Sequence, residues 1–105
     1  MQIQVNTDRN IEGQEELAAQ VEATVANSLS HFSAHITRVE VHLSDENGDK
    51  SGQNDKRCVM EARLEGRQPT AVTCEAATLA EAVAGAADKL ESSLESTLGR
   101  LREHR

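Results

Sequence analysis

The sequence predicts an α+β fold with the element order β-α-β-β-β-α, in which two helices pack on one face of a four-stranded sheet. Two kinds of pattern predict it: four short segments alternate polar and apolar residues, and two longer segments carry apolar residues at helical spacing. A chain of 105 residues has room for one domain, which we expect to span residues 1–105. Because each predicted strand has only one apolar face, a single layer of helices covers the whole apolar side of the sheet.

The first strand and the first helix are predicted from the opening third of the chain. "MQIQVN" alternates polar and apolar residues, which indicates a half-buried strand over residues 2–6. From Glu12 to Phe32 the apolar residues form one stripe of an amphipathic helix. The stripe consists of Leu17, Val21, Val25, Leu29 and Phe32. Glutamates at the start of this segment favour a helix N-terminus there, because they offset the helix dipole.

The period of two returns in three consecutive segments. They are "HITRVEVHLS" (35–44), "RCVMEARLEG" (57–66) and "TAVTCEA" (70–76), separated by polar or turn-forming residues. We therefore predict an antiparallel meander of three strands, with one buried and one solvated face.

The second helix is predicted to start after Thr78 and to reach the end of the chain. Thr78 followed by Glu81 is a capping-box pattern. The apolar stripe consists of Leu79, Val83, Ala86, Leu90, Leu94, Leu98 and Leu101. Gly85 and the alanines beside it predict a close approach of this helix to the sheet.

The charge is strongly asymmetric along the chain. Of 11 basic and 18 acidic residues, residues 1–55 contain 3 and 10, so that half carries the whole formal charge of −7. This excess argues against nonspecific binding to nucleic acid or acidic membranes, and it directs any anionic partner to residues 56–105. The sequence shows no signal-peptide pattern and no apolar run near the roughly 20 residues of a membrane span, so we expect a cytoplasmic protein.

The segment "HLSDENGDKSGQNDKRCVM" (42–60) has the alternating Asp45, Asn47 and Asp49 of a calcium loop. The sixth and twelfth positions of such a loop require Gly and Glu, but this sequence has Lys50 and Lys56 there. Asn-Gly is instead a hairpin signal. We therefore predict a hairpin loop and no metal site.

No enzyme motif is present, so we expect neither catalysis nor a cofactor or small-molecule substrate. The four histidines lack the spacing of metal ligands. Cys58 and Cys74 both fall on the inner face of neighbouring strands, where they are interpreted as buried, reduced thiols that could lie diagonally near each other.

The order of elements and several short motifs resemble the bacterial family of ribosome hibernation-promoting factors and ribosome-associated inhibitor A (ribosomal subunit interface) proteins. "MQIQVNTDRNIEGQEELAAQVEATVANSLSHFSAHITRVEVHLSDENG" is similar to the opening strand, first helix and "VEVHLS" strand of that family. "TLAEAVAGAADKLESSLESTLGRLREH" is similar to its closing helix with a "DKLE" segment. The resemblance implies a double-stranded-RNA-binding-like fold.

It also implies a function. Family members bind 16S rRNA of the small ribosomal subunit between head and body, cover the tRNA and mRNA sites, and hold idle ribosomes inactive under stress or in stationary phase. Lys89 matches the lysine of "DKLE" and is the first candidate for contacting rRNA phosphates. Position and charge add the weaker candidates Arg63, Arg67, Arg100, Arg102, Lys56 and Arg57. We expect a short-form monomer, without the dimerisation domain of long members.

The sequence also departs from this family. Ser92, Ser93 and Ser96 follow "DKLE" where members are basic, and the first helix contains no Lys or Arg. An alternative is therefore an acidic protein-binding regulatory module on the same scaffold, with weak or no rRNA binding. A third is a redox- or metal-responsive switch through Cys58 and Cys74.

Overall fold

The computed structural model describes residues 1–8, 11, 13–45 and 55–103, with side chains as far as residue 99. The elements follow the predicted order: β1 Gln2–Thr7, α1 Gln14–Ser28, β2 Ile36–Asp45, β3 Lys56–Leu64, β4 Thr70–Ala76 and α2 Leu79–Glu103. The prediction of an α+β fold with a four-stranded sheet and two helices is confirmed.

The sheet has the strand order β1-β2-β3-β4 and is mixed. β2, β3 and β4 form the predicted antiparallel meander, whereas β1 pairs with β2 in parallel, from Gln2 opposite Arg38 to Thr7 opposite Leu43. The parallel pairing requires the chain to cross over between β1 and β2, and α1 lies within that crossover.

The first helix is shorter than its apolar stripe suggested. It begins after Gly13, which has a positive φ of 65°; the predicted start at Glu12 lies outside the described residues. It gives way at Leu29 to a turn of 3-10 helix, Ser30–Phe32. Leu29 and Phe32 are both buried, so the tighter turn keeps the end of the stripe in the core.

The core lies between the sheet and the helices. It combines the inward residues of the strands with the stripe of α2, where Ala82, Ala86 and Ala87 are at most 1 % exposed. These small side chains let α2 approach the sheet closely, as predicted. The side chain of Thr78 caps this helix by accepting a hydrogen bond of 3.1 Å from the amide of Glu81.

Cys58 and Cys74 are directly opposite one another on β3 and β4, so the expectation of a diagonal arrangement was wrong. Both thiols are free; Cys58 is buried and Cys74 is half-buried. Desolvation, with a contribution from Cys74, raises the pKa of Cys58 to about 12. Cys58 is thus an unreactive thiol of the core.

The ladder between β2 and β3 ends at Asp45 opposite Lys56, which places the loop between them at a hairpin position. The predicted turn within residues 46–54, including its Asn-Gly signal, lies outside the described residues. Among the described residues, no group of His, Cys, Asp and Glu has the arrangement of a metal site.

Candidate nucleic-acid interface

The solvent-facing side of the sheet has a balanced charge. Its described strands place three arginines and three glutamates on that side, so their formal charges cancel. These residues are Arg38, Arg57, Arg63, Glu40, Glu61 and Glu75. The open face is therefore a mixed surface and not a basic strip.

Arg63, a candidate for rRNA contact, lies in an ion-pair network. Its Nε is 3.4 Å from Oε1 of Glu61, and its Nη2 is 3.9 Å from Oε2 of Glu40. Glu40 also pairs with Arg38 at 2.8 Å, and Arg38 donates a hydrogen bond to Gln4. The side chain of Arg63 remains 52 % exposed, so a phosphate can reach it but must compete with two carboxylates.

Lys56 is neutralised in the same way at the other end of β3. Its Nζ lies 2.9 Å from Oδ2 of Asp55 and 3.3 Å from Oδ1 of Asp45. The hydrogen bond to Asp55 raises the pKa of Lys56, and the same contact lowers the pKa of Asp55. Arg57 is exposed beside Lys56, and it too has an interaction partner. This pair of candidates is far from Arg63 along the strand.

Arg67 lies in the turn between β3 and β4, where Gly66 adopts a positive φ of 71°. Its backbone amide donates to the carbonyl of Leu64, and its exposed guanidinium has no ion-pair or hydrogen-bond partner among the described residues. The turn borders an open depression of about 850 Å³ that is also lined by Thr97 of α2. Arg100 and Arg102 follow Thr97 on α2, but their side chains lie outside the described part of the chain.

Lys89 projects from α2 to the edge of the sheet. Its Nζ donates a hydrogen bond of 2.8 Å to the backbone carbonyl of Thr73 on β4, which is an outer strand. An ammonium group has three N–H donors, so two remain for other acceptors. Lys89 therefore holds the helix to the strand edge and still presents a positive charge.

The candidates whose side chains the structure describes do not form one continuous basic surface. Arg63 and Arg67 lie near one end of β3, Lys56 and Arg57 lie near the other, and Lys89 lies at the β4 edge. Sequence reasoning missed the carboxylate partners Glu40, Asp45 and Asp55, because strand register determines which charged side chains become neighbours. Carboxylates lie between these cations, and this arrangement favours the alternative of a protein-binding module over a surface dedicated to rRNA.

In the described part of the chain, no helix is long and apolar enough to cross a membrane.

Comparison with known proteins identifies the family. Residues 4–102 match the family model described as "Sigma 54 modulation protein / S30EA ribosomal protein". No curated protein sequence gives a significant match.

Two solved structures share the fold. The N-terminal domain of Protein Y from Thermus thermophilus superposes with a TM-score of 0.73 at 24% identity, covering 92% of this chain and 99% of that one. A ribosomal subunit interface protein from Coxiella burnetii superposes with a TM-score of 0.71 at 14% identity, covering 94% and 99%. The sequence-based assignment to the ribosome-associated hibernation family is confirmed: the chain belongs to the Sigma 54 modulation protein / S30EA ribosomal protein family.

Proposed function

We propose that this protein is a translation inhibitor that binds 16S rRNA of the small ribosomal subunit and sterically blocks the channel for tRNA and mRNA. The observation that carries the proposal is the family match over residues 4–102. Inhibition by occlusion requires no bond chemistry, so the protein acts without catalysis or a cofactor. It acts in the cytoplasm, as a monomer.

Arg67 and Lys89 are the residues to which we assign most of the phosphate contact. The guanidinium of Arg67 is exposed and free of carboxylates within the described residues, and Lys89 keeps two N–H donors beyond its bond to Thr73. Arg63 contributes less, because a phosphate must displace Glu40 and Glu61 from it. Arg57, Lys56, Arg100 and Arg102 complete the proposed set.

Binding is expected to be weak and only modestly dependent on salt. With few free cations, few counterions are released from the RNA, and the formal charge of −7 opposes the approach to it. Each phosphate contact contributes about 1 to the slope of log K against log salt concentration, so the slope counts the contacts directly.

Co-sedimentation with purified small subunits at several salt concentrations tests the proposal. Arg67→Gln and Lys89→Gln each remove one positive charge and are expected to weaken binding and to reduce the salt slope by about 1. Ala26→Glu changes the net charge by the same amount at an exposed position of α1, so it controls for the general effect of charge.

Failure of the wild-type protein to sediment with small subunits at low salt would overturn rRNA binding. If Ala26→Glu weakens binding as much as Arg67→Gln does, net charge and not a local contact governs it, and the assignment of Arg67 is wrong. Occlusion itself is tested by competition, because bound protein must displace tRNA from small subunits. Simultaneous binding of both would refute steric blocking.

A further inference from the structure

The two helices leave a furrow between them whose first half is apolar. A cavity of about 320 Å³ lies where α1 faces the start of α2. Its apolar lining consists of Leu17, Val21, Leu79, Ala80, Val83 and Ala84. Leu17 and Leu79 are only half-buried, so the furrow retains apolar surface that a partner can cover.

The second half of the furrow is acidic. A cavity of about 330 Å³ is lined by Glu91 and Glu95 of α2 and by His31 and Phe32 of the 3-10 turn. Because that turn follows α1 directly, the two cavities succeed one another along the same pair of elements. Glu91 is eight residues beyond Val83, or about 12 Å along the helix.

Four carboxylates lie along the furrow. Asp88 lies one turn after Ala84 on α2, and Glu91 and Glu95 continue on that side. Glu16 lies one turn before Gln20 of α1, which also lines the first cavity. None of these four groups forms an ion pair within the described part of the chain.

The nearest cation on α2 is directed elsewhere. Lys89 contacts the edge of the sheet, on the side of α2 where Gly85 faces Cys74. Helix α1 contains no Lys or Arg. The furrow is therefore a negative, partly apolar surface, which repels RNA and attracts cationic side chains.

We propose that this furrow binds a basic, amphipathic segment of another protein. The apolar side chains of the partner segment would cover the apolar half of the furrow, between Leu17 and Leu79. Its Lys or Arg side chains would pair with Glu91 and Glu95. From Leu79 to Glu95 the furrow follows seventeen residues of α2, a rise of about 24 Å, which suits a partner helix of about the same length. Binding at the furrow does not depend on rRNA binding, because the partner is cationic and the rRNA contacts are assigned to other residues.

A fluorescent peptide of Leu and Lys tests the surface, with about 16 residues and leucines at helical spacing. Fluorescence anisotropy measures its binding to the intact protein, and amide chemical shifts locate the site. Two further peptides serve as controls: one has the same composition in scrambled order, and one carries Glu in place of Lys. Poly(U) serves to test whether RNA binds at the same surface.

Ala84→Lys and Ala26→Lys are matched variants. Both replace an exposed helical alanine and add one positive charge, but Ala84 lines the furrow whereas Ala26 lies on the opposite side of α1 from Leu17. Ala84→Lys is expected to weaken peptide binding about tenfold and Ala26→Lys less than about twofold, since only the first places a cation beside the peptide. Glu91→Gln with Glu95→Gln is expected to weaken binding and reduce its dependence on salt.

The proposal is supported if the Leu-Lys peptide with helical spacing binds, the two control peptides do not, and the amide chemical-shift changes are confined to the furrow. Equal binding of the scrambled peptide, equal effects of the two alanine variants, or poly(U) binding at the furrow would overturn it. None of these outcomes changes the result of co-sedimentation with small subunits, so this proposal and rRNA binding fail separately.

Discussion

Replacing Gly85 by alanine tests how closely α2 packs against the sheet. A Cβ built on Gly85 would lie 2.5 Å from Sγ of Cys74, whereas ordinary contacts begin at 3.4 Å. The helix or the thiol must therefore move by about 1 Å, and overpacking of this kind costs about 1–3 kcal/mol. Glycine to alanine within a helix otherwise stabilises by about 1 kcal/mol. The net expectation for Gly85→Ala is a loss of roughly 0–2 kcal/mol.

Two matched variants separate the contributions. In a Cys74→Ala background the nearest atom, Cβ of residue 74, would be in ordinary contact at 3.6 Å, so Gly85→Ala should then stabilise by about 1 kcal/mol. Gly99, also in α2, has nothing within 4 Å of an added Cβ, so Gly99→Ala should stabilise without any second change. The coupling energy between residues 74 and 85 is therefore expected to be about 1–3 kcal/mol.

Urea unfolding followed by circular dichroism measures these differences, since the chain has no Trp or Tyr for intrinsic fluorescence. In thermal unfolding, a change of 1 kcal/mol corresponds to a shift of about 4–8 °C in Tm. If Gly85→Ala stabilises the wild-type protein as much as Gly99→Ala does, the close contact with Cys74 does not exist in solution.

Three further predictions concern the core and the charged groups. Leu94→Ala, at a fully buried position, should destabilise the protein by about 2–5 kcal/mol in urea unfolding; a loss below 1 kcal/mol would contradict the packing. The lowered pKa of Asp55 gives a stabilising contribution that is present above its ordinary value of 3.8 and lost as pH falls through the lowered pKa. In Asp55→Asn, the free energy of unfolding should therefore fall less as the pH is lowered. An unchanged dependence of this free energy on pH would exclude Asp55 as a source of the acid sensitivity. Because the pKa of Cys58 is about 12 and its ordinary value is 9.0, the native thiol should react roughly a thousandfold more slowly with a disulfide reagent at mildly alkaline pH. Equal rates in native and urea-unfolded protein would refute this.

Periodicity was sufficient to predict the order of elements. The alternation of Val39, Val41 and Leu43 gives a strand with one buried face in any register, and the structure has all three buried. The stripe of α2 likewise depends only on spacing along one helix. Such local patterns determine whether each segment forms a helix or a strand. The need to bury every apolar face determines how the helices pack on the sheet.

Features that depend on register were not predictable in the same way. The neighbours of Arg63 are fixed by the pairing of β2 with β3, where the register shifts between Ile36 and Arg38. A slip of one residue would have placed other side chains beside it. The same dependence explains the direct pairing of Cys58 with Cys74. Charge counts along the chain therefore identified candidate cations but not the carboxylates that neutralise them.

The parallel edge strand β1 has a consequence for the order of folding. Partners of β1 and β2 are 36 residues apart, as in Gln2 and Arg38, whereas Ala62 and Thr70 of β3 and β4 are separated by 8. Closing the longer loop costs about 1.3 kcal/mol more in chain entropy. We therefore expect the β3–β4 hairpin to form first and β1 to join last, after α1 has packed. Pulse-labelling hydrogen exchange during refolding measures this order, and protection of β1 amides as early as those of β4 would contradict it.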